Sequence, residues 1–427
     1  MNTQPVNGKQ LNSVLPSYPL GMGASPESDP LCLMAYSHDG FGLGHLRRNT
    51  NIATRFVRQR PGSNALLLVG CSPGTLFGSQ EGVDFIKVPS IVKAAAEAWR
   101  PLNLRISQEK MKSLRASMIQ KAAEVFRPDL FLVDHVPTGV WAELLPTLQM
   151  LRERKDAPRT ILGLRDIVNA PDIVRELWRQ EDIYKAIRTY YDEILIYGCQ
   201  SVFDTASQYG LDTEFPGKIT YCGYVCTEEP YKTRQQMREE LQIQREKLVV
   251  ITVGGGRDGY PILQACLEAI QFLGKDPACE IIVIAGPLMD PEQKACLQRQ
   301  AEGLTVRILS HVFENLSYMN AADLVITMAG YNSLCELLRL KKKALVVPRA
   351  GPSAEQTMRA KQFAERGLID VIYPQDLSPK FLAERIRADL ERDDYPVCDQ
   401  ALEMDGAARA GIHLSELVGQ GAYGSAA

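Results

Sequence analysis

Three histidines stand where a chain can do acid–base chemistry. "SHDGFGLGHLRRN", Ser37 to Asn49, sets His38 and His45 around three glycines and ahead of Arg47 and Arg48, directly after the apolar run LCLMAYS. "VDHVPTG" sets His135 beside Asp134 after the run DLFLV. An imidazole exchanges a proton near neutral pH, and a carboxylate next to it can serve as the base or orient one. His45 is the first candidate base, with His135 or Asp134 as alternatives and His38 as a third imidazole. Gly40, Gly42 and Gly44 let a phosphate or an acceptor molecule approach the backbone closely. Arg47 and Arg48 offer charge to a phosphate, or face solvent as arginines on an early helical turn commonly do.

A second set of residues suits an anion and a polyhydroxylated ligand. "TVGGGRDGY", Thr252 to Tyr260, follows an apolar run and precedes a helix starting near Pro261, so Gly254, Gly255, Gly256 and Arg257 can face a phosphate at a helix N-terminus. Gly254, Gly256 and Gly259 also fit the spacing of a dinucleotide fingerprint, but the next run, EIIVIAGP, ends without the acidic residue that would hold a ribose. The NAD reading therefore ranks last. "MAGYNSLCELL" carries Gly330, Asn332, Ser333 and Glu336; Ser333 and Glu336 read either as a capping box or as a carboxylate able to accept both hydroxyls of a ribose. "PRAGPSAEQTMRA" adds Glu355, Gln356 and Arg359, a mixture of acceptors and donors suited to sugar hydroxyls.

These loops need a scaffold, and the apolar pattern supplies one. From Leu31 to Cys226 the runs LCLMAYS, NALLLVG, VDFIKVP, DLFLVDH, TILGLRD and EILIYG alternate with helical segments, among them Arg48 to Gln59, a basic one from Gln108 to Phe126, and one from about Gly139. The pattern restarts with KLVVITVGGG and continues through EIIVIAG, TVRIL, DLVITMAG and KALVVPR. Short apolar runs alternating with helices predict two α/β domains with parallel sheets, whose ligands bind beyond the C-terminal ends of the strands. The expected division is a disordered tail over 1–29, a first α/β domain over 30–226, a second over 227–400, and a 401–427 segment holding a last helix and a loose end. The polar stretch TEEPYKTRQQMREELQIQREK lies between the two domains.

Composition narrows the partners. With 48 Lys+Arg against 51 Asp+Glu the net charge is −3, which gives no reason to expect a nucleic-acid partner. The ten cysteines lack CxxC or zinc-type spacing and read as reduced thiols, in keeping with a cytoplasmic chain. No secretory signal and no apolar run of roughly 20 residues is present. The stretch Trp99 to Met118, with Arg100, Arg105, Lys110, Lys112 and Arg115, reads as a peripheral contact to the inner face of a membrane or as a solvated face over a core. No P-loop, HExxH or D-x-D sequence occurs, so neither a metal nor another cofactor is expected.

The order of the motifs, and above all Val306 to Ile372, resembles the MurG-like glycosyltransferases of the GT-B fold, whose two Rossmann-like domains face each other across a cleft. The first half resembles that family mainly through its glycine loop ending in His45. The resemblance implies that Glu336 holds ribose hydroxyls, that backbone near Val312 and Phe313 meets the base, and that Gly255, Gly256 and Ser333 lie near the diphosphate. Glu355 and Gln356 would read the donor sugar; MurG has two glutamines there, so the identity of the sugar is left open. The implied activity is an inverting, metal-independent transfer from a nucleoside-diphosphate sugar, with UDP favoured, to an acceptor hydroxyl that is lipid-linked or free. The rivals are an epimerase or hydrolase of the same fold, which acts on the donor without an acceptor, and a non-catalytic nucleotide-sugar-binding protein.

Overall fold

The computed structural model describes residues 29–38, 43–71, 80–93, 99–274, 277–397 and 402–418. The expected N-terminal tail up to residue 28, Gly40 and Gly42, and the C-terminal end from residue 419 lie outside the described residues.

The first half runs β1 (Cys32–Tyr36), α1 (Gly44–Gln59), β2 (Asn64–Val69), β3 (Val83–Lys87), β4 (Ile91–Lys93), β5 (Trp99–Pro101), α2 (Gln108–Phe126) and β6 (Leu130–Asp134). It continues through α3 (Leu145–Glu153), β7 (Arg159–Arg165), α4 (Pro171–Gln180), α5 (Ile183–Tyr190), β8 (Glu193–Tyr197), α6 (Thr205–Gln208), α7 (Leu211–Glu214) and β9 (Ile219–Tyr221). Seven of these strands form one parallel sheet in the order β3-β2-β1-β6-β7-β8-β9, while β4 and β5 make a small antiparallel pair beside it. Leu130 to Val133 and Ile161 to Leu164 are buried on both faces because helices cover both sides of the sheet, which is why these strands read as continuous apolar runs.

The second half contains α8 (Arg234–Glu240), β10 (Lys247–Thr252), α9 (Tyr260–Leu273), β11 (Cys279–Ile284), α10 (Pro291–Gln300), β12 (Arg307–Leu309), α11 (Asn315–Ala321) and β13 (Leu324–Thr327). Then come α12 (Tyr331–Leu340), β14 (Ala344–Val346), α13 (Glu355–Ala364), β15 (Asp370–Val371), α14 (Pro379–Glu391) and α15 (Gly406–Leu417). Its six-stranded sheet has the order β12-β11-β10-β13-β14-β15, again parallel throughout. In both sheets the chain moves outward one way from the first strand and then crosses to the other side, producing the strand-order reversal that leaves a crevice at the strand ends. The last helix, α15, lies against α1: Gln59 donates to the Ala408 carbonyl at 3.1 Å and Arg60 to that of Ser415 at 3.0 Å.

Three local readings need correction. The helix expected from Gly139 is a short 3-10 turn, Val140–Ala142, followed by α3, because Trp141 and Ala142 sit at positive φ and break the α geometry. Ser333 does not cap α12; Gly330 is the cap and Ser333 is the third helical residue, so the S-x-x-E pair is no capping box. On α2, Arg115 turns inward, where its guanidinium grips both oxygens of Glu143 at 2.6 Å, so it is absent from the basic outer face. Lys110, Lys112 and Leu114 remain exposed there, as do Arg100, Leu102, Leu104 and Arg105 in the segment before it. No helix among the described residues is long and apolar enough to cross a membrane.

Candidate functional site

The C-terminal ends of both sheets open onto one cleft of about 450 Å³. Its first-domain wall carries His38 after β1, Gly44, His45 and Arg47 at the start of α1, Trp99, His135 after β6, and Arg165 at the end of β7. The opposite wall carries Gly254 to Asp258 after β10, Val312 after β12, Gly330 to Ser333 and Glu336 from α12, and Glu355 and Gln356 from α13.

On the first wall His45 is held from behind. Its Nδ1 lies 2.5 Å from Asp134 Oδ2, and Arg48 donates to the other carboxylate oxygen, Oδ1, at 2.6 Å. Arg48 Nη2 also lies 2.9 Å from Nδ1, but the ionised Asp134 can only accept, so the shorter contact assigns the proton to Nδ1 and leaves Nε2 as the basic nitrogen. Burial opposes ionisation of Asp134, but Arg48 and His45 outweigh it and hold the carboxyl well below its usual range. Burial also depresses His45 below its ordinary value, with Asp134 partly restoring its basicity. Arg48 is itself buried, lying over the rings of Tyr197 and Tyr331 at 5.5 and 5.4 Å, so that although it borders the cleft its guanidinium is committed to Asp134.

His38 and His135 pack against His45 with ring centroids 5.7 and 5.3 Å away. Both stay neutral: burial, reinforced by His45, lowers His38 to about 3, and burial with Arg165 lowers His135 strongly. Among the described residues neither imidazole has a carboxylate partner, and the Nδ1 atom of each is buried without a hydrogen bond. His135 is also held at φ 72°, a left-handed conformation uncommon for a residue with a side chain, while its N–H bonds the Gly163 carbonyl at 2.8 Å. Of the three, His45 alone pairs with a carboxylate among the described residues.

The second wall is a cradle of backbone donors. Gly254 and Gly256 have φ of 60° and 91°, and a Cβ on Gly256 would fall 2.2 Å from the Ala285 carbonyl oxygen, so only glycine fits there. The N–H groups of Gly254 and Gly255 meet no acceptor among the described residues. Beside them α12 begins at Gly330 without any side-chain cap, leaving its first N–H groups for an anion. Two turns into α12, Glu336 is buried; burial raises its pKa while Arg47 opposes the rise. Asn315 donates to its Oε2 at 3.0 Å and Arg47 reaches across the cleft to its Oε1 at 2.7 Å. Gln356 Oε1 accepts from the Arg349 N–H at 3.0 Å.

Two expected donor-site residues stand elsewhere. Arg359 does not line the cleft: it is buried in a bidentate pair with Asp166 of the first domain, at 2.9 and 2.7 Å, because the ends of β7 and α13 are packed together. Phe313 is 70 % exposed and lies outside the cleft wall, whereas Val312 lines it. Conversely, Arg165 was not among the expected residues. It lines the cleft and donates to Glu355 Oε1 at 2.7 Å, an oxygen that Arg359 also contacts at 3.0 Å. The signal was present, since "TILGLRD" ends in charged residues at a strand C-terminus, as "VDH" does. Trp99, edge-on to His38 at 5.5 Å, comes from β5, which the apolar pattern did not mark as a strand.

Residues 249–408 match the glycosyltransferase family 28 C-terminal domain. Over 215 residues the chain is 28 % identical to the UDP-N-acetylglucosamine–N-acetylmuramyl-(pentapeptide) pyrophosphoryl-undecaprenol N-acetylglucosamine transferase of an Exiguobacterium species, covering 49 % of this chain and 59 % of that one. The chain spans about half the length of the curated relatives it matches. Among solved structures it superimposes on Acinetobacter baumannii MurG with a TM-score of 0.53 and 14 % identity, covering 92 % of this chain and 99 % of that one. It superimposes on the calicheamicin glycosyltransferase CalG4 with a TM-score of 0.60 and 13 % identity, over 93 % and 100 % of the two chains. The chain is thus a MurG-like protein of the GT-B fold, with a glycosyltransferase family 28 C-terminal domain over residues 249–408.

Proposed function

We propose that the chain is an inverting, metal-independent glycosyltransferase that moves a sugar from a nucleoside-diphosphate donor, a UDP-sugar first, to an acceptor hydroxyl. The observation that carries this reading is the opposition of two walls: a His45–Asp134 pair on one, and a glycine cradle with the buried carboxylate Glu336 on the other. Glu336 would accept the two ribose hydroxyls, and the N–H groups of Gly254, Gly255 and the start of α12 would hold the diphosphate. Glu355 and Gln356 would face the sugar.

A sugar held between these walls is attacked from the first domain while its leaving group departs toward the second, so the anomeric configuration inverts. As the acceptor oxygen bonds the anomeric carbon, its proton passes to His45 Nε2. The bond from that carbon to the diphosphate oxygen breaks, and its electron pair leaves with the diphosphate. Backbone donors and the α12 dipole stabilise the departing charge, the task a metal performs elsewhere.

UDP as the nucleotide rests on curated relatives such as those of Exiguobacterium and Clostridium kluyveri, which are UDP-N-acetylglucosamine transferases whose acceptor is a pyrophosphoryl-undecaprenol. For the acceptor we take a lipid-linked hydroxyl as the working class, met at the inner face of the membrane. The exposed Arg100, Leu102, Leu104, Arg105, Lys110 and Lys112 suit such a surface.

The test is transfer of labelled sugar from a panel of UDP-sugars to a bacterial lipid extract or to soluble glycans, with and without EDTA. Acceptor-dependent product of inverted configuration, insensitive to EDTA and lost in His45→Ala, is expected. Release or isomerisation of the sugar without an acceptor would replace this reading by the hydrolase or epimerase one.

A further inference from the structure

Arg47 ties the first domain to the carboxylate that the proposed function assigns to the donor ribose. Its Nη1 donates to Glu336 Oε1 at 2.7 Å, and Asn315 fills Oε2 at 3.0 Å, so both oxygens already have protein donors. Ribose hydroxyls can use Glu336 fully only by displacing the guanidinium. Both arginines reach the cleft, but Arg48 is 2 % exposed and committed to Asp134, whereas the Arg47 side chain is 30 % exposed and pairs only with Glu336 among the described residues.

The place to which a displaced Arg47 can turn is close by. The first turn of α1 lies over the start of α12, where Asn332 donates to the Gly44 carbonyl at 3.3 Å. Ser333 Oγ stands 3.6 Å from where a Cβ on Gly254 would be. The uncapped N-terminus of α12, the glycine cradle and the start of α1 therefore meet at one point. Glu336 lies about one helical turn, ~5.4 Å, further along α12 from Asn332. A guanidinium on a flexible stem covers that distance by rotamer changes, and its planar fork matches phosphate oxygens.

We propose that Arg47 is a donor-exchanged residue: the ribose takes Glu336 from it, and Arg47 moves to the diphosphate, adding a cation from the acceptor-side domain to the backbone donors of the other. Donor binding then replaces the cross-cleft ion pair by a protein–diphosphate–protein bridge. In this way the full donor, rather than its nucleoside part, holds the two walls together with His45 over the sugar. The inference rests on the proposed function, because it requires Glu336 to be the ribose site.

The experiment compares a nucleoside with its diphosphate by calorimetric titration of the full chain. The base is the one whose diphosphate most stabilises the wild type among UDP, GDP, dTDP, CDP and ADP. Arg47→Gln should bind the nucleoside at least as well as the wild type, since the competitor for Glu336 is weakened. It should bind the diphosphate roughly ten-fold or more weakly, the loss of one charged hydrogen-bond partner. Arg47→Lys should recover part of the diphosphate affinity. Equal weakening of both ligands, or no change for the diphosphate, would overturn the exchange. Glu336→Gln separates the two levels. If it leaves nucleoside binding intact, the ribose assignment fails and takes the exchange with it; if it abolishes binding while Arg47→Gln behaves as wild type, only the exchange fails.

Discussion

His45 Nδ1 and Asp134 Oδ2 are 2.5 Å apart, and Asp134 is locked from its other side by the buried Arg48. The proposed role of His45 as base rests on this pairing, which no other of the three imidazoles has among the described residues. Asp134→Asn should keep the ring near its position but lower kcat by roughly 10²–10⁴-fold, because the orienting charge is gone. Asp134→Ala should in addition destabilise the protein by about 3–5 kcal/mol, since Arg48 is left buried and unpaired. Steady-state kinetics and denaturant unfolding separate the two effects.

The same pair sets a pH profile. A base works deprotonated, and burial holds His45 below its ordinary 6.5, so the acidic limb of kcat/KM should fall below pH 6.5 with a plateau above it. Asp134 raises the His45 pKa, so residual activity in Asp134→Asn should have its limb displaced further toward acid. A displacement toward alkali would contradict the role given to Asp134.

Gly256→Ala should be costlier than Gly254→Ala. Both glycines have positive φ, but the added methyl meets the Ala285 carbonyl oxygen at 2.2 Å in the first case and only Ser333 Oγ, at 3.6 Å, in the second. Strain of this kind costs about 1–3 kcal/mol before the clash is counted. Thermal unfolding should rank the variants in that order, and Gly256→Ala should also lose diphosphate affinity as the cradle moves off the Ala285–Gly286 backbone.

Docking of α15 should depend on pH through His413, whose Nε2 lies 2.5 Å from Glu193 Oε1. The His413 pKa is raised chiefly by its hydrogen bond to Glu193, so its stabilisation is fully present below 6.5 and is lost as pH rises through the raised value. The Glu193 pKa is lowered: burial opposes this, but the His413 and Thr220 hydrogen bonds prevail. Its stabilisation is therefore present above 4.5 and lost as pH falls through the lowered value. Hydrogen-exchange protection factors in Gly406–Leu417, corrected for the pH dependence of intrinsic exchange, should be highest between these limits, and His413→Gln should flatten the dependence.

Much of the scaffold could be read directly because parallel strands covered on both faces become unbroken apolar runs, and the loops after them mark where ligands bind. "VDH", "TVGGG" and "MAGYN" all lie on the cleft for that reason. What sequence could not show were pairings between distant side chains. Arg359 was expected to meet the donor, but its partner Asp166 is 193 residues away. Arg47 and Arg48 are adjacent and chemically alike, yet one spans the cleft and the other is buried, since α1 turns them to different faces. Glu336 also looked like a cap to local pattern, and only the position of Gly330 at the helix start shows otherwise.

The most direct measurement is thermal stabilisation of the wild type and of Glu336→Gln by UDP, GDP, dTDP, CDP, ADP and NAD. Selective stabilisation of the wild type by one nucleoside diphosphate, UDP first, with the effect lost in Glu336→Gln and no response to NAD, is the predicted result. Stabilisation by none of the diphosphates, or a response that Glu336→Gln leaves unchanged, would contradict the assignment of this cleft to a nucleotide-sugar donor.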